Sequence, residues 1–153
     1  MKWVTREQVR VGRMGCSWLI RRFIDPEAEI IFVPRERVLP AAEELGATAF
    51  HEAGTGLGKS GDKSSFEVML EAYNLTGDPA LVLLGKIVGT ADVPTSPWQQ
   101  PEGPGMKALT EGILAAYPTD DERIDAARGA FDAFYAYCQE MQKRKMPDGM
   151  FKH

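Results

Sequence analysis

The most informative stretch for the fold is CSWLIRRFIDPEAEIIFVP, residues 16–34. Apolar side chains recur in it at spacings of three and four, which predicts a helix over residues 14–23. Asp25-Pro26 ends this helix, because the residue before a proline avoids helical torsions. The run EIIFV at residues 29–33 is continuously apolar and β-branched, so it is predicted to be a buried strand.

Short elements flank this stretch on both sides. KWVT, residues 2–5, is short and β-branched, which is typical of an edge strand. Residues 35–45 are predicted to form a helix that ends at Gly46, since glycine readily takes the left-handed conformation that closes a helix. ATAF, residues 47–50, is the third predicted strand.

Helices are predicted for most of the remaining chain. The spacing of Ser64 and Glu67 indicates a capping box, with a helix that starts at Ser64 or Ser65 and runs to about residue 73. Since strands come first and helices follow, the sequence predicts an α+β fold, a predominantly helical domain with a small sheet of about three short strands in the N-terminal third. The other predicted segments are helices over residues 80–88, 106–116 and 119–145, and a proline-rich loop over residues 90–105.

Length and composition indicate one globular domain. The chain has 153 residues, 44% hydrophobic and 26% charged, so residues 1–146 are predicted to form a single domain and residues 147–153 a flexible tail. The net charge of −4 does not favour nucleic-acid binding. No apolar run is long enough to span a membrane and no signal-peptide core is present, so we expect a cytoplasmic protein without membrane contact.

The two cysteines, Cys16 and Cys138, are far apart and have no metal-binding spacing. We expect both to be reduced thiols that form no disulfide. Cys16 lies near the start of a predicted helix, where a thiol with a lowered pKa could bind or react with an oxidant. The alternative is a buried side chain that acts as a small apolar residue.

The polar segment HEAGTGLGKSGDKS, residues 51–64, is where we expect the chemistry to be concentrated. Within it, AGTGLGKS resembles a phosphate-binding loop with alanine in place of the first glycine. In a true phosphate loop the helix starts at the lysine and serine, whereas here Gly61 and Asp62 follow them and delay the helix. No nucleotide is therefore expected as a cofactor.

Several motifs resemble the chromate resistance family, in particular the ChrB-type C-terminal domain. KWVTR at residues 2–6 matches the start of that family, and Cys16, Trp18 and LIRRFIDP at residues 19–26 match its most specific motif. The resemblance covers nearly the whole chain and implies a stand-alone, divergent member of the family. Weaker matches follow in the family's order: Gly54, Leu57-Gly58, Ser65-Phe66-Glu67, Asp92, Pro101-Glu102, Gly105, Asp132, Tyr135 and Ala136.

Departures from the family pattern fall in the glycine-rich segment. Lys59 stands where the family usually has histidine, Ser64 where it often has cysteine, and His51 where it has aspartate. The family glutamate aligns near Gly56. If the family site binds a metal through those groups, this chain has a changed ligand set. The resemblance also implies an N-terminal domain in full regulators, so transcriptional repression is not expected to carry over.

His51, Glu67 and Lys59 are the candidate catalytic residues, and His51 and Glu67 the candidate metal ligands. A neutral imidazole and a carboxylate suit Zn, Mn or Fe, and the loop between them is predicted to return Glu67 toward the strand end at His51. The alternatives are a surface histidine, a capping carboxylate and a solvated lysine. Further candidate binding residues are Glu52, Arg21, Arg22, Asp92 and Cys16.

Arg21 and Arg22 are adjacent, so on a regular helix they point about 100° apart. One of them is predicted to be buried and to pair with Asp25 or Glu27.

These features predict a small protein that binds a divalent metal or an oxyanion in a pocket around residues 51–67. The alternative is a metal-dependent lyase or hydrolase acting on a small organic acid, with His51 or Glu67 as general base. A third reading is a scaffold that acts through partners. The expected partner is a small anion or small molecule, and an oligomer is compatible with the sequence.

Overall fold

The structure is a computed structural model that describes residues 1–144. The predicted tail at residues 147–153 and the end of the last predicted helix at residue 145 lie outside the described residues. The strands are β1 (Lys2–Arg6), β2 (Glu29–Val33) and β3 (Thr48–Ala49). The α-helices are α1 (Val11–Leu19), α2 (Val38–Leu45), α3 (Ser65–Ala72), α4 (Pro79–Asp92), α5 (Gly103–Ala116) and α6 (Asp120–Arg144).

The three strands form one parallel sheet in the order β2-β1-β3. Trp3 lies opposite Ile30 on one side and Thr48 on the other. The predicted α+β class, with a small sheet in the N-terminal third, is confirmed.

The prediction of β1 as an edge strand is wrong, because β1 is the central strand. Successive side chains of a strand point to opposite faces of the sheet, and both faces of β1 are covered. Trp3, 1% exposed, joins the main hydrophobic core, whereas Val4 packs in a second cluster with Val38 and Ala41 of α2. The short length of KWVT therefore did not indicate an edge position, because burial on both faces and pairing with two neighbours make β1 central.

The main core lies between the sheet and the helices. It includes the fully buried side chains Met14, Phe66, Leu84, Met106 and Phe131, one from each helix other than α2. No helix within residues 1–144 is long and apolar enough to cross a membrane.

Most predicted helices form, with shifted ends. α1 begins at Val11 rather than at residue 14, and a five-residue π-helical turn, Ile20–Ile24, continues it to Asp25. The predicted loop over residues 90–105 is shorter, because α4 continues to Asp92 and α5 already starts at Gly103. Proline is tolerated in a first helical turn, where its missing N–H leaves no bond unmade, and Pro104 is the second residue of α5.

Candidate functional site

His51 lies where the chain leaves the sheet. The Phe50 N–H donates to the Val4 carbonyl oxygen, at an N···O distance of 3.1 Å, and this keeps residue 50 beside β1. His51 itself adopts a positive φ of 54°, which is uncommon for a residue other than glycine. Its N–H donates to the Leu57 carbonyl oxygen at 3.0 Å, so residues 51–57 close into a compact loop.

The imidazole of His51 sits between two side chains from different helices. Its Nδ1 lies 3.9 Å from Cys16 Sγ on α1, and its Nε2 lies 3.9 Å from Asp92 Oδ2 at the end of α4. A Cβ added at Gly12 would overlap both His51 Cε1 and Asp92 Oδ2. The first turn of α1 therefore approaches the site closely only because residue 12 has no side chain.

Arg13 is the least expected residue of the site. Its side chain lies in the first turn of α1 and is only 5% exposed, and its buried Nε has no hydrogen-bond partner among the described residues. The same helix has no side-chain cap and no acidic residue in its first turn. The free N–H groups and positive dipole of such a helix start favour an anion.

Burial and neighbouring charges determine the protonation of the site. Burial lowers the pKa of His51 to about 3, and the positive charges of Arg13 and Arg6 lower it further. Burial raises the pKa of Asp92, against the effect of the positive charges of Arg13 and Lys59. His51 is therefore neutral at physiological pH, and Asp92 takes up a proton more readily than an exposed aspartate does.

Cys16 is fully buried, and burial and the negative charge of Asp92 both raise the pKa of its thiol. A protonated thiol is a poor nucleophile, so its surroundings favour the alternative of a buried apolar residue. Its S–H can donate to His51 Nδ1, which leaves the ring proton on Nε2, facing Asp92.

We refer to Arg13, Cys16, His51 and Asp92 as the buried charged cluster. Arg6, Glu52 and Lys59 are near enough to influence the protonation of its members. The structure thus brings together five residues predicted to act at the site: His51, Asp92, Cys16 and, at its margin, Lys59 and Glu52. No group of three His, Cys, Asp or Glu side chains that could hold a metal ion is found within residues 1–144.

Glu67 has a full set of contacts of its own. Its Oε2 accepts from the Ser64 N–H at 2.8 Å and the Ser64 hydroxyl at 3.0 Å, which completes the predicted capping box. Its Oε1 accepts from the Trp98 indole N–H at 2.5 Å. The carboxylate packs against Gly89, one helical turn before Asp92 on α4. A metal shared by Glu67 and His51 stays a prediction.

Replacing Glu67 by alanine is expected to lower the free energy of unfolding by about 1–3 kcal/mol, because a helix cap and a buried hydrogen-bond acceptor are both lost. Urea denaturation measures the change. Glu71→Ala is the matched control on the same helix, since Glu71 forms an exposed ion pair with Lys63 and such pairs contribute little. Equal stability of Glu67→Ala and wild type would show that the carboxylate is not structural.

The depressed pKa of His51 predicts that the free energy of unfolding falls as the pH is lowered from about 6.5, by up to about 1.4 kcal/mol per pH unit. The unfolded chain binds a proton at the ordinary histidine pKa, whereas the folded chain does not until about pH 3. Asp92 acts in the opposite sense, because its raised pKa makes the folded state bind its proton first. The readout is therefore the difference between wild type and His51→Gln, in metal-free buffer, from pH 7 to 4.5. Parallel stability curves for the two proteins would contradict the burial of a neutral His51.

Arg21 and Arg22 lie apart from the buried charged cluster, on the π-helical turn. The prediction that one of them is buried and pairs with Asp25 or Glu27 is wrong, because Arg21 is only half-buried and forms no ion pair within residues 1–144, and Arg22 is exposed. Arg22 pairs instead with Asp132 of α6 at 2.6 Å and lies over the Tyr135 ring. Asp25 is occupied by the Trp3 indole N–H, at 2.9 Å. The pairing of Arg22 with Asp132 could not be predicted from local sequence, because the two residues are far apart in the chain.

The fold and the site define a small α+β domain with a buried charged cluster beside a glycine-rich loop. The chain belongs to the family of the ChrB C-terminal domain, whose model matches residues 3–138. It is 34% identical over 143 residues to Protein ChrB of Cupriavidus metallidurans, a match that covers 94% of this chain and 42% of that relative. The chain thus spans less than half the length of this curated relative. No solved structure matches significantly. The resemblance stated from the motifs is confirmed.

Proposed function

We propose that this domain binds an oxyanion at the buried charged cluster. The observation that supports the proposal most directly is Arg13, a nearly buried guanidinium whose Nε has no hydrogen-bond partner among residues 1–144. Burying a charged group with an unmade hydrogen bond is costly, and a bound anion would supply the missing acceptor. The uncapped first turn of α1 adds backbone N–H groups at the same place.

The other members of the cluster suit this role. Lys59 and Arg6 add positive charge from the margin, which attracts an anion over a longer range. A second negative charge would raise the pKa of Asp92 further, so that its carboxyl would bind a proton and donate it to the anion. His51 would contribute the Nε2 proton as a neutral donor.

A divalent metal is the second candidate. His51 is held neutral, which is the form that binds metals, and Asp92 Oδ2 lies 3.9 Å from its Nε2. Arg13 and Lys59 would repel a bare dication, so a metal here would need an anionic ligand beside it.

A lyase or hydrolase is less well supported. A general base works best with a pKa near the operating pH, and the pKa of His51 is about 3. The other candidate base, Glu67, already accepts hydrogen bonds from Ser64 and Trp98, so its carboxylate oxygens are not free to take a proton from a substrate. A scaffold acting through partners would leave the missing acceptor of Arg13 unexplained.

The resemblance to chromate resistance proteins makes chromate the first anion to test, with sulfate as its non-oxidising analogue. Tag-free protein is analysed for metal content and titrated calorimetrically with each anion at low ionic strength. We expect saturable one-to-one binding that Lys59→Gln weakens about two- to fivefold, as for the loss of one exposed charge near the site. Lys63→Gln is the matched control, because Lys63 is exposed and already paired with Glu71.

Two outcomes would contradict the proposal. One is the absence of saturable binding of either anion at millimolar concentration. The other is stoichiometric metal in the purified protein that His51→Ala removes, which would favour a metal site instead.

A further inference from the structure

A cavity lies at the C-terminal end of α1, and none of the residues of the buried charged cluster is part of its lining. It has a volume of about 780 Å³ and is formed by the end of α1, the π-helical turn, the segment before β2 and one face of α6. This volume is typical of small-molecule sites in proteins. Its apolar wall consists of Trp18, Ala28 and Ile124.

The π-helical turn shapes this cavity. The Asp25 N–H donates to the Ile20 carbonyl oxygen, five residues earlier, at 2.7 Å. This widened turn lets the adjacent Arg21 and Arg22 both line the cavity. Such turns are rare and are frequently found at functional sites.

Arg22 is a fixed part of the wall. It donates to Asp132 Oδ1 at 2.6 Å, and the Trp18 indole N–H donates to the same oxygen at 2.9 Å. The indole ring is therefore held in place, and Oδ1 of Asp132 is committed to these two donors.

Two other polar groups of the lining have no such commitment. Ser17 is 1% exposed, and its hydroxyl has no hydrogen-bond partner among residues 1–144. Arg21 is half-buried, and its guanidinium forms neither a hydrogen bond nor an ion pair within the described part of the chain. An uncommitted hydroxyl and an uncommitted guanidinium beside a fixed aromatic wall form a donor set for a carboxylate.

We propose that this cavity binds a small organic carboxylate with a flat, apolar body. The carboxylate accepts two hydrogen bonds from the Arg21 guanidinium and one from the Ser17 hydroxyl, while the body lies against Trp18 and Ile124. Glu27 and Asp125 are exposed residues of the same lining. Arg128, also exposed in this lining, offsets their negative charges. The apolar wall therefore sets the ligand class, an organic carboxylate, which differs from the tetrahedral oxyanion proposed for the buried charged cluster.

The test uses 2-naphthoate as the probe and neutral 2-naphthamide as its isostere. Binding is measured by calorimetry and by the NMR shift of the Trp18 indole N–H. We expect saturable binding of 2-naphthoate, with 2-naphthamide much weaker. Arg21→Gln should weaken 2-naphthoate about tenfold or more, as for the loss of a hydrogen bond to a charged group. Arg21→Lys, which keeps the charge without the planar fork, should give an intermediate loss.

Ser17→Ala should weaken binding less than Arg21→Gln and leave the melting temperature of the free protein unchanged or higher, because its hydroxyl is unsatisfied. Arg35→Gln, an exposed arginine outside the cavity, is the matched control and should bind as wild type. Equal affinity for 2-naphthoate and 2-naphthamide, unchanged affinity in folded Arg21→Gln, or no saturable binding would overturn the proposal. Sulfate binding at the buried charged cluster is independent of all these outcomes.

Discussion

Arg13→Met is expected to weaken oxyanion binding about tenfold to a hundredfold, while changing the free energy of unfolding of the anion-free protein by less than about 1 kcal/mol. A hydrogen bond to a charged group contributes about 1.5–3 kcal/mol, which sets the size of the binding loss. Methionine has a similar length and suits a site that is only 5% exposed. Removing a buried charge also removes its desolvation cost, which offsets the lost attraction to Asp92.

Arg10→Met provides the control for charge alone. Arg10 precedes the same helix, but its side chain is 61% exposed and its ion pair with Glu111 is long, at 3.9 Å. We expect it to reduce affinity only about two- to fivefold, in a way that added salt abolishes. Equal losses in the two variants would mean that diffuse charge, and not the buried guanidinium, binds the anion. A loss of several kcal/mol in the stability of Arg13→Met would mean that Arg13 is structural.

Three of the four residues of the buried charged cluster, His51, Asp92 and Cys16, were candidates from the sequence alone. His51 and Asp92 could be singled out because one follows a predicted strand beside a glycine-rich segment and the other matches a family motif. Arg13 could not, since it looked like one of several N-terminal basic residues. The predicted helix start at residue 14 left it outside α1. No capping side chain marks the true start at Val11, so the usual signal for a helix N-terminus was missing.

The fold could be predicted to the level of its elements, and less well in their arrangement. The capping box at Ser64 and Glu67 and the stop at Asp25-Pro26 are local signals, and both are found in the structure. The central position of β1 depends on contacts with residues 29–33 and 48–49, which periodicity cannot report. The π-helical turn was also missed, because a helical pattern of apolar residues does not distinguish it from a regular turn.

Gly12→Ala is expected to disrupt the site where the first turn of α1 contacts His51 and Asp92. The added Cβ would overlap His51 Cε1 and Asp92 Oδ2, which belong to two side chains that are themselves largely buried. We expect the free energy of unfolding to fall by about 1–3 kcal/mol, the usual cost of overpacking. Alanine's better helix propensity, at most about 1 kcal/mol, offsets part of that cost. Oxyanion affinity should fall about tenfold or more, since Nε2 and the Asp92 carboxyl can no longer face one ligand.

Gly129→Ala is the matched control for the glycine-to-alanine change within a helix. Gly129 lies in α6, where an added Cβ would meet no atom within 4 Å, so the substitution should stabilise the protein by about 0.5–1 kcal/mol. Urea denaturation gives the two stabilities, and the NMR signals of the His51 ring report whether the imidazole has moved. If Gly12→Ala were as stable as Gly129→Ala and kept the wild-type ring signals, α1 would not approach His51 as closely as the structure indicates. The claim that the missing side chain at Gly12 lets Asp92 and His51 lie against the start of α1 would then be wrong. If the His51 ring moved but the affinity for the anion stayed at the wild-type value, His51 would not contact the anion. Arg13 and the free N–H groups of α1 would then be the groups that bind the anion.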